Sequence, residues 1–178
     1  MKKIKLTLAI LAISTLTFAQ QAAKKEQDKE VSNAEKFSER AGTLIQNEFL
    51  DIGEIKKCKI QVSRYTDLIS DQKSSAVRFE IEYSSTGSKA ALLDIDEIEG
   101  LMKSIKIIQN KIFPTVATNY TEINFKCRSG FQAGCYSKKD SWSSFLKLVR
   151  FDSNSYVFMD KEDLTKLYDI LEQAKAKL

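Results

Sequence analysis

The chain has 178 residues, with 28 Lys and Arg against 24 Asp and Glu, a formal charge of +4, and no histidine. That length suits one domain with its own core. The missing histidine excludes the commonest general base near neutral pH, the commonest metal ligand and the simplest pH switch.

Met1 to Lys5 is a short cationic start, and Leu6 to Phe18 is an apolar run broken only by Thr and Ser. Thr17-Phe18-Ala19 then places small residues at −3 and −1 before Gln20. This pattern predicts a secretory signal peptide over residues 1–19, too short for a membrane span, and so an exported protein, periplasmic or secreted. Without Lys2, Lys3 and Lys5 the balance becomes 25 bases to 24 acids. A nucleic-acid surface is not expected from so even a balance. No apolar stretch after the leader is long enough to span a bilayer.

Residues 20–40 are rich in Gln, Ala, Lys and Glu, with Val31 and Phe37 as the large apolar exceptions. They read as a flexible or helical tether before a single α+β domain over 41–178. Thr43–Leu50 is a first strand. Cys58–Ser63 and Ala76–Tyr83 alternate apolar and polar residues, the latter with Val77, Phe79, Ile81 and Tyr83 on one face. Lys89–Leu93 is a fourth. Asp94 or Asp96 can then cap a helix whose stripe is Ile98, Leu101, Met102, Ile105, Ile108 and Ile112, stopped at Pro114. Gly100 inside it costs about 1 kcal/mol relative to Ala, which points to close packing there.

Tyr120–Cys127, Phe131–Ser137, Ser144–Phe151 and Tyr156–Met159 read as four more strands, and Asp160 opens a last helix with Leu164, Leu167, Tyr168 and Leu171 on its face. A shift of sixty-six positions superimposes the two helices: Asp94 on Asp160, Ile98 on Leu164, Leu101 on Leu167, Met102 on Tyr168 and Ile105 on Leu171. The expected fold is a duplicated ββββα repeat, about 43–113 and 116–178, with antiparallel sheets packed against two helices. This element order resembles the PUR-repeat and Whirly group of proteins. The resemblance implies a curved sheet braced by a helix, with single-stranded nucleic acid stacked on the open face. The faces themselves argue otherwise, since Glu80 and Glu82 stand beside a single Arg78 on the best-defined strand.

Cys58, Cys127 and Cys135 are an odd set. Around Ser129-Gly130, a two-residue turn puts Cys127 and Cys135 on opposite faces, and a three-residue turn leaves them on the order of 13 Å apart. Two readings stand: a disulfide from Cys58 to Cys127 or Cys135, or buried free thiols. Ser70-Asp71-Gln72-Lys73 and Ser144-Phe145-Leu146-Lys147 both fit Ser-x-x-Lys without its companion motifs. Asp94 and Asp96 read as a helix cap rather than a metal site, and no cofactor motif occurs. The chain therefore reads as a non-enzymatic binding or interaction protein, for another protein or a small apolar ligand. The expected contacts lie on a sheet face or on the 125–136 hairpin, at Phe125, Arg128, Phe131, Tyr136 and nearby Trp142. The alternative for the hairpin is that its phenylalanines enter the core.

Overall fold

The alternating stretches form two four-stranded antiparallel sheets, each with its strands in chain order. The computed structural model describes residues 30–83 and 87–178, so the leader and residues 20–29 of the expected tether lie outside the described residues. The first sheet is β1 (Ile45–Ile55), β2 (Cys58–Asp67), β3 (Lys73–Tyr83) and β4 (Gly87–Leu93). The second is β5 (Glu122–Lys126), β6 (Gln132–Lys138), β7 (Ser141–Lys147) and β8 (Tyr156–Met159). With them go α1 (Asn33–Ser38), α2 (Ile95–Ile107) and α3 (Lys161–Lys175). The protein is α+β, and the order ββββα occurs twice.

Period two decides what each sheet buries. Val77, Phe79 and Ile81 of β3 lie opposite Val62, Ile60 and Cys58 of β2, and all six are fully buried. In the second sheet Ala133, Cys135, Leu146 and Val157 turn inward, joined by Phe131, whose ring centre lies 4.9 Å from that of Phe79. Both helices close this shared core. Ile98, Leu101 and Ile105 of α2 and Leu164, Leu167 and Leu171 of α3 are buried, each contributing roughly 1.5–3 kcal/mol before entropy is set against it. Asp94 and Asp160 are the N-caps, so the sixty-six-residue correspondence holds at the cap and along the buried stripe. A Cβ on Gly100 would sit 3.0 Å from the Phe125 ring, which is the close packing its position requires. Past Ile107 the helix widens into a π turn, Ile108–Ile112, before Pro114.

Several boundaries differ from expectation. β1 runs on to Ile55 through a bulge between Asp51 and Gly53. β7 is Ser141–Lys147 rather than 144–151: Lys139 takes φ 53° in a two-residue turn, and the serines that follow hide the strand's alternation. Within the tether, Asn33–Ser38 is a helix docked on the outer face of the first sheet. Ser32 Oγ caps it by accepting from Glu35 N at 3.0 Å, and Ala34 and Phe37 bury against Tyr65 and Ala76.

The disulfide from Cys58 to Cys127 or Cys135 is not formed; all three cysteines are buried free thiols. Cys58 is flanked in register by Ile55 and Ile81, and Cys135 by Ile123 and Ser144, so each packs within its own sheet. The hairpin has a three-residue turn, with Cys127 N donating to Phe131 O at 2.9 Å and Gly130 at φ 89°. Cys127 and Cys135 therefore share a face but stay about 13 Å apart along it.

Asp67 closes the β2–β3 turn, accepting from Ile69 N at 2.9 Å, from Ser70 N at 3.2 Å and from the Thr43 hydroxyl. These donors, Thr43 foremost, lower its pKa from 3.8 to about 2. The folded chain therefore gains stability from Asp67 above about pH 4 and loses it as pH falls toward 2. Urea midpoints measured from about pH 5 down to about pH 2.5 should fall less steeply for Asp67→Asn than for the parent chain. Parallel curves would contradict the assignment.

Candidate binding face on the second sheet

The two sheets use their outer faces differently. On the first, α1 covers one end, and the next stretch is occupied by a polar network. Gln61 donates to Asp51 at 2.6 Å and accepts from Arg78 at 2.9 Å, and Arg78 also pairs with Glu80. On the second sheet no helix of the described residues covers the corresponding face, and what it carries is aromatic.

Register brings the rings together. Gly134, Phe145 and Phe158 lie in one row across β6, β7 and β8, while Lys147 and Tyr156 are opposite in the next. Tyr136 stands two residues from Gly134 on the same face. Phe145 is the centre. Its ring lies 5.5 Å from Tyr156 and 6.4 Å from Tyr136, and it is only 5% exposed on a face that no helix of the described residues covers. Tyr156 and Phe158 stack at 5.6 Å with planes 5° apart, and Phe158 is 60% exposed. Lys147 Nζ sits 4.9 Å from the Tyr156 ring centre. By register, Lys126 and Lys138 project from the same face, and neither they nor Lys147 joins an ion pair among the described residues. At the rim, exposed Tyr120 donates to Glu122, which raises its phenol pKa.

The residues singled out in the sequence scatter. Only Tyr136 belongs to this face. Phe131 and Trp142 are core residues rather than surface contacts: Phe131 packs on Phe79, and Trp142 turns inward with Nε1 donating to Thr115 O at 2.8 Å. Phe125 is half-buried against Gly100. Phe145, Tyr156 and Phe158 escaped sequence reasoning because they meet each other, and Tyr136 of β6, only across paired strands.

Arg128 occupies a different place, the junction of the β5–β6 turn with two helix N-termini. It chelates Asp96 with contacts of 2.8 and 2.9 Å and reaches Asp94 at 2.7 Å. Its own N–H donates to Glu97 at 2.8 Å. The guanidinium holds the Asp96 carboxyl below its usual range, and Asp96 raises the Arg128 pKa in return. The outer edge of Arg128 lines a cleft with Arg150 and Phe151.

Burial pushes the Cys58 thiol up to about 12 and Cys135 to about 11, so both stay protonated. Among the described residues no group of three His, Cys, Asp or Glu could hold a metal, and no helix is long and apolar enough to cross a membrane. No family model matches the chain, and no curated protein matches it.

Proposed function

We propose that this is an exported, non-enzymatic binding protein that holds a small, largely apolar ligand with a planar ring on the outer face of its second sheet. One observation carries the reading: Tyr136, Phe145, Tyr156 and Phe158 form a continuous ring cluster, open at Phe158, beside cations without carboxylate partners among the described residues. Such rings offer large contact area at low entropic cost, and a patch of this kind is the usual mark of a binding surface. The non-enzymatic part rests on the absent histidine and on thiols kept neutral by burial.

The mature chain, residues 20–178, should bind anilinonaphthalene sulfonate, an anion whose flat naphthalene ring suits the aromatic rings and whose sulfonate suits Lys147. Phe158→Ala should weaken that binding about tenfold, a loss of about 1.4 kcal/mol, without moving the melting midpoint. Equal binding by the variant would remove the face from consideration.

A second reading is favoured by Lys147 over Tyr156, with Lys126 and Lys138 nearby: single-stranded nucleic acid stacked on the rings. It requires oligothymidine binding whose affinity falls steeply with salt. Absence of binding at low salt ends it.

A further inference from the structure

β1 is an edge strand whose protections, the bulge between Asp51 and Gly53 and the acids Asp51 and Glu54, sit toward its C-terminal end, leaving Ile45–Leu50 with Glu48 as its one charge. It is 11 residues long, contains neither Pro nor Lys, and is exposed along all of Gln46–Asp51. Leu44 is 61% exposed, Phe49 52% and Leu50 38%. Leu68 N donates to Leu44 O at 2.8 Å, which marks 44 and 68 as a hydrogen-bonded pair. By alternation along the register, Gln46, Glu48 and Leu50 bond to β2. Ile45, Asn47 and Phe49 then turn their N–H and C=O groups to the free edge, where no strand of the described residues pairs with them.

We infer that β1 pairs with β1 of a second copy of the chain, antiparallel about a two-fold axis at Asn47. In that register Asn47 faces its own copy, Ile45 faces Phe49, Leu44 faces Leu50 and Gln46 faces Glu48. Every exposed apolar side chain of the strand meets an apolar one, and no like charges stand directly opposite. The groups that bond across the axis are those of Ile45, Asn47 and Phe49, the residues whose backbone is free, giving about six new hydrogen bonds. Neighbouring registers fail on the same count. An axis at Glu48 sets two carboxylates face to face, and one at Phe49 sets Leu50 against Glu48. The bulge at Asp51 and Gly53 ends the seam. The contact is isologous and closes as a dimer with a continuous eight-stranded sheet.

Sedimentation velocity on residues 20–178 from about 1 to about 100 μM should show a monomer–dimer equilibrium, the range in which a short seam of this kind associates. Asn47→Pro removes a free-edge N–H at a position where an edge strand tolerates proline, and Leu50→Lys puts a charge against Leu44. Each should raise the dimer dissociation constant at least about tenfold. Asn47→Cys, treated with a short bismaleimide, should link two chains while the native thiols stay buried; Lys139→Cys should not. If Asn47→Pro does not fold, the other two variants still decide. A monomer throughout, or a dimer that Leu50→Lys leaves unchanged and Asn47→Cys does not link, overturns the inference.

Discussion

Asp94→Ala is expected to lower the melting midpoint by about 10 °C, while Asp96→Ala, two residues away, lowers it by no more than about 2 °C. The difference comes from what each carboxylate holds. Asp94 is buried, and its two oxygens accept from Asn33 N at 2.7 Å, from Ala34 N at 3.1 Å and from Arg128 at 2.7 Å. Its own N–H donates to Glu97 at 3.0 Å. One residue thus joins the three: its side chain ties the start of α1 to the β5–β6 turn, and its backbone N–H opens α2. Three carboxylates around one guanidinium would leave excess negative charge, and the N-terminal dipoles of the two helices offset part of it. Removing Asp94 leaves buried N–H groups without acceptors and Arg128 short of a partner, a loss of about 3–5 kcal/mol. At about 2–4 °C per kcal/mol for a domain of this size, that is the shift stated. Asp96 is mostly in water and its pair with Arg128 is screened, so its removal costs about 0.5 kcal/mol. Hydrogen exchange supplies a local check: the Asn33 and Ala34 amides should exchange faster in Asp94→Ala. Equal midpoint shifts for the two variants would remove Asp94 from this role.

What the sequence made legible follows from where local rules and packing agree. The alternation at Ala76–Tyr83 and the stripe from Ile98 to Ile112 each encode a buried face, so period and burial give one answer there. Asp94 was visible as a cap but not as a hub, because its partners lie about sixty residues back and thirty-four ahead. α1 was obscured because Ala34 and Phe37 are too few to make a helical signal; their burial depends on Tyr65, which no local pattern links to them. The β5–β6 turn left two geometries open, and Gly130 at positive φ selects the longer one.

The aromatic face shows the limit more sharply. Tyr136, Phe145, Tyr156 and Phe158 alternate with inward residues on three strands, and each alone reads as ordinary strand composition. Only the register that sets Gly134, Phe145 and Phe158 in one row makes them a surface. Conversely, Phe131 and Trp142 stood out because they are large and near glycine or lysine, yet the same size draws them into the core.

Gly134 fixes that register, and Gly134→Ala is expected to be the most damaging single methyl in the molecule. A Cβ there would stand 2.0 Å from the Ile123 carbonyl oxygen and 3.1 Å from Asn124 Oδ1. The first obstacle is backbone held in the β5–β6 ladder, so it cannot swing aside as a side chain would. Relief requires β5 to part from β6, at a cost of about 3 kcal/mol or more, again about 10 °C in the midpoint. Gly100→Ala is the comparison. Its new Cβ would meet the Phe125 ring at 3.0 Å, a side chain that can turn, and the gain of about 1 kcal/mol in helix propensity offsets the adjustment. Thermal denaturation should therefore separate the two variants by several degrees. Because Gly134 lies beside Phe145, its substitution should also abolish anilinonaphthalene sulfonate binding at temperatures where the variant is still folded. A Gly134→Ala protein with the parent midpoint and full dye binding would mean that the strands can shift without disturbing the rings, and that the face owes its shape to the aromatic packing alone.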